Sequence, residues 1–105
     1  MLKRNSEFQR VYRKGKSAHS AALVLFYLPN TPMVSVGFTA GKKVGNAVKR
    51  NRAKRRMRAL FYDASPQLLP GSYVLVAKAA TVETPYAVIE KSFRKMLERV
   101  GALQS

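Results

Sequence analysis

Val34-Ser35-Val36-Gly37-Phe38-Thr39-Ala40-Gly41-Lys42-Lys43-Val44-Gly45-Asn46-Ala47-Val48-Lys49-Arg50-Asn51-Arg52-Ala53-Lys54-Arg55-Arg56-Met57-Arg58-Ala59-Leu60-Phe61 changes its period part-way. Up to Thr39 the residues alternate, with Val34, Val36 and Phe38 on one face and Ser35, Gly37 and Thr39 on the other. That is the two-residue period of a half-buried strand. After Gly45 neither Gly nor Pro occurs until Pro66, and the composition favours a helix to about Ala64. A strand therefore feeds a long basic helix.

Working outward, Ala21 to Leu28 is an apolar run fit for a buried strand, and Pro29-Asn30-Thr31-Pro32 is a turn signal. The two strands flanking that turn are expected to pair as an antiparallel hairpin. Before them, Asn5 or Ser6 can cap a short helix in which Phe8, Val11 and Tyr12 share a face, with Gly15 at its end. Beyond the basic helix, Pro66 to Gly71 breaks the chain, and Tyr73 to Ala79 suits a central strand. Thr84 can cap a last helix, with Pro85 in its first turn and Gly101 at its end. Tyr86, Ile89, Phe93, Met96, Leu97 and Val100 form its apolar side; Glu90, Arg94, Lys95 and Glu98 form the other. The order is helix, strand, strand, helix, strand, helix: an α+β fold, with one sheet packed by helices in a single domain spanning residues 1–105.

Composition narrows the function. The 105 residues carry 20 Lys and Arg against 5 Asp and Glu, a net charge of +15. At 47% hydrophobic, the chain can still bury a core and is not a disordered tail. So much like charge on a small domain repels itself, and a polyanionic partner is the natural counterpart. Binding to a phosphate backbone would release condensed counterions and depend steeply on salt. With no Cys, disulfides, thiolate nucleophiles and Cys-type zinc sites are excluded. No apolar run approaches the ~20 residues of a membrane span, and the start shows no apolar signal segment. A soluble, cytoplasmic protein without membrane contact is expected.

Nine basic side chains fall between residues 42 and 58, with no acid among them: Lys42, Lys43, Lys49, Arg50, Arg52, Lys54, Arg55, Arg56 and Arg58. A charge run is ordinarily one solvated face of a helix. Here, at about 100° per residue, the charges point almost all round. Only the second half, with Met57, Leu60 and Phe61, has an apolar stripe for a core. A self-repelling first half is better explained by phosphate binding, for which the forked Arg guanidinium is suited. Gly41 and Gly45 flank Lys42 and Lys43 ahead of the helix, where free amides and the dipole favour anions. The P-loop order of residues is absent.

Phe8, Tyr12 and either Phe26 or Tyr27 form a second, weaker signal. They can be core residues, or they can stack unpaired bases beside the basic side chains. The acids Glu7, Asp63, Glu83, Glu90 and Glu98 are scattered singly, and His19 is the sole histidine, reading as a loop or strand-edge residue. That inventory is thin for protein-catalysed phosphodiester hydrolysis, which needs a positioned base or clustered carboxylates.

The stretch from Lys42 to Arg58, centred on Arg50-Asn51-Arg52, resembles the signature of the protein subunit of bacterial ribonuclease P. Phe8-x-x-Val11-Tyr12-x-x-Gly15, the alternating strand before Gly41 and the closing amphipathic helix extend the resemblance along nearly the whole chain. It implies a mostly antiparallel, four-stranded-type sheet related to a ribosomal-protein domain, with a left-handed crossover between the strand ending near Ala40 and that at Tyr73. It also implies that Lys42, Lys43, Lys49, Arg50, Asn51, Arg52, Lys54, Arg55, Arg56 and Arg58 face the catalytic RNA. Phe8, Tyr12 and Phe26 would line a cleft for the 5′ leader of precursor tRNA. The RNA would hold magnesium and perform the cleavage, with no catalytic residue in the protein and no need for a protein homo-oligomer. A ribosomal or other structural RNA-binding protein is the alternative, sharing the charge but not the cleft.

Overall fold

The computed structural model describes Leu2 and residues 4–104. Helix α1 (Asn5–Lys14) begins one residue ahead of the expected caps: Arg4 holds the cap position, and its backbone N–H donates to Glu7 Oε1 at 3.1 Å. Gly15 ends α1 with an extended backbone. A Cβ there would lie 2.6 Å from the Val11 carbonyl oxygen and 2.8 Å from that of Tyr27, so close approach explains this glycine.

Four strands follow: β1 (Lys16–His19), β2 (Leu23–Leu28), β3 (Val34–Thr39) and, after the basic helix, β4 (Gly71–Ala77). Their order in the sheet is β1-β2-β4-β3. The expected hairpin between β2 and β3 does not form. β4 is inserted between them, antiparallel to β2 (Phe26 opposite Val74) and parallel to β3 (Gly37 opposite Val74). The reason is burial: Tyr73, Val74 and Leu75 are all fully buried, so the most apolar run takes the centre and the Pro29–Pro32 link spans the gap. β1 adds a strand beyond those expected; its four residues bury only Ala18, too little alternation to signal a strand. His19 is its last residue, on the sheet edge.

Helix α2 (Ala47–Ala64) follows a 3-10 turn at Lys42–Val44 and is capped by Asn46, whose side chain accepts from the Lys49 amide at 3.0 Å. Its buried stripe is Ala53, Met57, Leu60 and Phe61. Ala53 carries the stripe into the half that the sequence pattern suggests is polar all round. A short helix α3 (Ala80–Glu83) precedes α4 (Tyr86–Arg99). Thr84 ends α3 and does not cap α4; Pro85 stands at that cap. Gly101 adopts φ 73°, the left-handed turn in which its N–H reaches the Glu98 carbonyl.

The sheet has two dressed faces. Leu23, Leu25, Tyr27, Val36, Phe38, Tyr73 and Leu75 pack with the stripes of α2 and α4 in the main core. The opposite face carries Phe26, Leu28, Val74 and Val76, and meets Leu2, Phe8, Val11 and Tyr12. Among the described residues no helix is long and apolar enough to cross a membrane.

Candidate nucleic-acid interface

Helix α1 crosses the strands. Phe8 sits over Gly37 of β3, where an added Cβ would come within 2.4 Å of Phe8 Cζ. Four residues on, Tyr12 meets Phe26 of β2 edge-on, with ring centroids 4.9 Å apart. Gly37, Val74 and Phe26 form one cross-strand row, so α1 runs along that row and divides this sheet face into two flanks. Beyond the row on one flank lie Thr39, Val76 and Val24, paired across three strands and only partly covered. The partly covered flank beside Phe8, Tyr12 and Phe26 is the candidate cleft, with Val24, Val76 and Thr39 as its floor.

The alternation of β2 decides between Phe26 and Tyr27. Leu23, Leu25 and Tyr27 point into the main core, where Tyr27 stacks on Tyr73 at 4.7 Å and donates to the Pro70 carbonyl at 2.8 Å. Phe26 points to the cleft. Gly37 is a site residue that the motif reading leaves out, although an isolated glycine inside a strand signals close approach from outside.

At its far end β3 leaves the cleft floor at Thr39 and runs through Ala40 and Gly41 into the turn bearing Lys42 and Lys43, both exposed. Gly45 has φ 137°, and the Lys49 side chain folds over it so closely that a Cβ would lie 2.6 Å from Lys49 Cδ. The positive φ demands glycine, whereas the exposed Lys49 side chain could move aside. On α2, Asn51, Arg52, Arg55 and Arg58 are exposed on the side away from the core stripe, while Arg50 and Lys54 flank it half-buried. Arg58 is held over the Phe38 ring, its Cζ 5.7 Å from the centroid. Lys42, Lys43, Lys49, Arg52, Arg55 and Arg58 are thus exposed together with Asn51, and Arg50 and Lys54 are partly so.

Arg56 is different. Its Nη1 donates to the carbonyls of Thr81 at 2.9 Å and Val82 at 2.8 Å, and its Cζ lies 6.0 Å from the centre of the Tyr86 ring. The side chain ties α2 to the C-terminal carbonyls of α3, which themselves bind a cation well. Thr81, fully buried, receives the Lys78 amide and donates to the Ala22 carbonyl, so α3 is fastened on both sides. Nothing in the local pattern signals α3, and hence nothing signals this role.

The acids stand apart: Glu7 caps α1, Asp63 accepts from the Tyr86 hydroxyl at 3.2 Å, and Glu83, Glu90 and Glu98 are exposed. Burial, then the bond to Asp63, raises the Tyr86 phenol above its ordinary range. Among the described residues no three His, Asp or Glu side chains group as a metal site.

The sequence profile of ribonuclease P matches residues 1–101. The chain belongs to the ribonuclease P protein family. It is 46% identical over 99 residues to the ribonuclease P protein component of a Nitratiruptor species, covering 94% of this chain and 90% of that one. To the corresponding component of Geobacillus thermodenitrificans it is 36% identical, over 98% and 88% of the two chains. The fold is similar to that of the Staphylococcus aureus RNase P protein, with a TM-score of 0.86 at 28% identity over 98% of this chain and 96% of that one. The resemblance read from the Arg50-Asn51-Arg52 stretch thus holds for the family and for its α+β fold with a mostly antiparallel sheet.

Proposed function

We propose that this chain is the protein component of a ribonuclease P ribonucleoprotein that binds the catalytic RNA and the 5′ leader of precursor tRNA, promoting 5′-end maturation. One observation carries the reading: Phe8, Tyr12 and Phe26, brought together from α1 and β2, stand half-buried beside a partly covered flank of the sheet that leads to Lys42 and Lys43. A pure scaffold has no use for such a cleft, whereas an unpaired strand can stack its bases there.

The outward side of α2, with Asn51, Arg52, Arg55 and Arg58, together with Lys42, Lys43, Lys49, Arg50 and Lys54, would hold the RNA subunit through its phosphates. Arg56 supports that surface from behind through α3. Neutralising phosphates beside the substrate lowers the demand for magnesium, which the RNA would hold. The dispersal of the five carboxylates supports leaving both metal and hydrolysis to the RNA. A cytoplasmic location fits this role, and one protein copy without homo-oligomerisation suffices for it.

The test mixes purified protein, a bacterial ribonuclease P RNA and a 5′-extended precursor tRNA at low magnesium, with each macromolecule alone as control. The expected result is accurate trimming only in the mixture. Binding of the RNA without restored cleavage favours a structural RNA-binding role, and cleavage by the protein alone overturns the assignment of the chemistry.

A further inference from the structure

The two flanks of α1 differ in chemistry. On the cleft side the sheet offers Thr39, Val76 and Val24; on the other side the equivalent row is Ser35, Ser72 and Leu28, with Asn30 just past it. That second flank opens into a groove of about 350 Å³ whose further lining includes Arg4, Arg10 and Ser6. Ser72 is 3% exposed and donates to Asn30 Oδ1 at 2.8 Å. This bond occupies the amide oxygen of Asn30 and leaves its Nδ2 hydrogens as donors at the groove. Two guanidinium groups stand against a single carboxylate, Glu7, which already accepts from the Arg4 backbone. A second hollow, lined by Ser6, Arg10, Arg13 and Lys14, continues over the outer side of the helix without an acid.

The geometry points to a second RNA site, in which the Arg4–Arg10 groove binds phosphate of the precursor leader upstream of the nucleotides held in the cleft. The inference rests on the leader-binding reading. Arg4, Arg10 and the Asn30 amide line one groove with the hydroxyls of Ser6, Ser35 and Ser72 beside the apolar Leu2, and a lining with two guanidinium groups and no aromatic ring suits a phosphate and not a stacked base. The source is the leader because α1 is the shared wall. A strand leaving the cleft meets Arg13, Lys14 and Arg10 on the outside of a helix only about 15 Å long, and the groove lies at the end of that cationic path. The first flank would then read bases and the second would hold backbone, so the upstream site adds affinity with little sequence preference.

The test reconstitutes holoenzyme with wild-type protein, the Arg4→Ala/Arg10→Ala variant or Asn30→Asp. Affinities are measured for precursors with leaders of about 5 and about 15 nucleotides, a range spanning the site sizes of small single-strand binding surfaces. For both variants the expected result is a loss of roughly tenfold on the long leader only. For the double arginine variant the log–log salt slope should also fall by about 1.4, two single-strand phosphate contacts at about 0.7 each. Affinity of the protein for the RNA subunit alone should not move. Equal losses on both leaders, or a loss of RNA-subunit affinity, would assign the groove to the catalytic RNA and overturn the proposal. No loss on either leader also overturns it. Failure of the underlying reading looks different: Phe8→Ala/Tyr12→Ala would then leave the short-leader affinity intact.

Discussion

Gly37→Ala is the sharpest probe of the cleft because it displaces an aromatic wall residue without altering any aromatic. The added Cβ would lie 2.4 Å from Phe8 Cζ and 2.5 Å from Cε1, more than 1 Å inside ordinary carbon contact of about 3.5–4.0 Å. β3 cannot retreat, since Gly37 is registered against Val74 in a parallel pairing with the central strand. The Phe8 ring therefore swings off the sheet. Losing part of its burial costs about 1–2 kcal/mol, offset by about 0.4–1 kcal/mol from the stiffer unfolded chain. The net loss of ~1 kcal/mol lowers Tm by about 4–8 °C, small enough for a folded protein to assay. A displaced stacking surface removes about 1–3 kcal/mol per base, so leader affinity should fall roughly 5- to 150-fold. The assay is holoenzyme affinity for leader-bearing precursor relative to leaderless mature tRNA, for Gly37→Ala, Phe8→Ala and the double variant. Because both changes act on one ring, the double variant should be no worse on leader than Phe8→Ala alone. A folded Gly37→Ala protein with unchanged leader preference would falsify the reasoning.

Other perturbations separate contact from support. Arg52→Ala should weaken RNA-subunit binding and reduce the magnitude of its log–log salt slope by roughly 1, as expected for one lost phosphate contact; a slope equal to wild type counts against that contact. Arg56→Ala should leave the slope alone yet destabilise the fold by about 1–3 kcal/mol, because the Thr81 and Val82 carbonyls lose their donor; denaturant unfolding reads the loss, and a flattened slope would instead place Arg56 on RNA. Burial, then the neighbouring Tyr27 hydroxyl, holds the Tyr73 phenol far above its ordinary range. The folded state keeps a proton that the unfolded chain releases, so this stability is complete below about pH 10. Above that it is lost as pH rises, at up to ~1.4 kcal/mol per pH unit. Tyr73→Phe should flatten that alkaline limb while costing about 1 kcal/mol at neutral pH, since the 2.6 Å bond to the Leu69 carbonyl is lost; an unaltered limb in alkaline unfolding assigns the titration elsewhere.

The cleft is partly legible residue by residue. Phe8 and Tyr12 share a helical face by spacing alone, but that spacing fits a core as well as a platform. The structure shows why both descriptions apply: the two rings are half-buried against the sheet, packed on the Val11–Val74 cluster yet not fully covered. Gly37 carries a readable signal, a lone glycine inside a strand. Arg56 carries none, because what distinguishes it from Arg55 and Arg58 is a pair of carbonyls 25 and 26 residues away. The expected hairpin fails for a related reason. Local turn chemistry at Pro29–Pro32 can propose a pairing, but it cannot compete with the burial gained by placing the apolar β4 between the two strands.

Charge, the two-residue and 3.6-residue periods, the α+β class and the family are all readable from the amino-acid order, since each is a property of short stretches. Strand order, the side of the sheet to which Phe26 points, the crossing of α1 over Gly37 and the two unlike flanks it creates emerge only when the chain is folded. These depend on which distant residues exclude water from one another, and that competition is settled across the whole sheet at once.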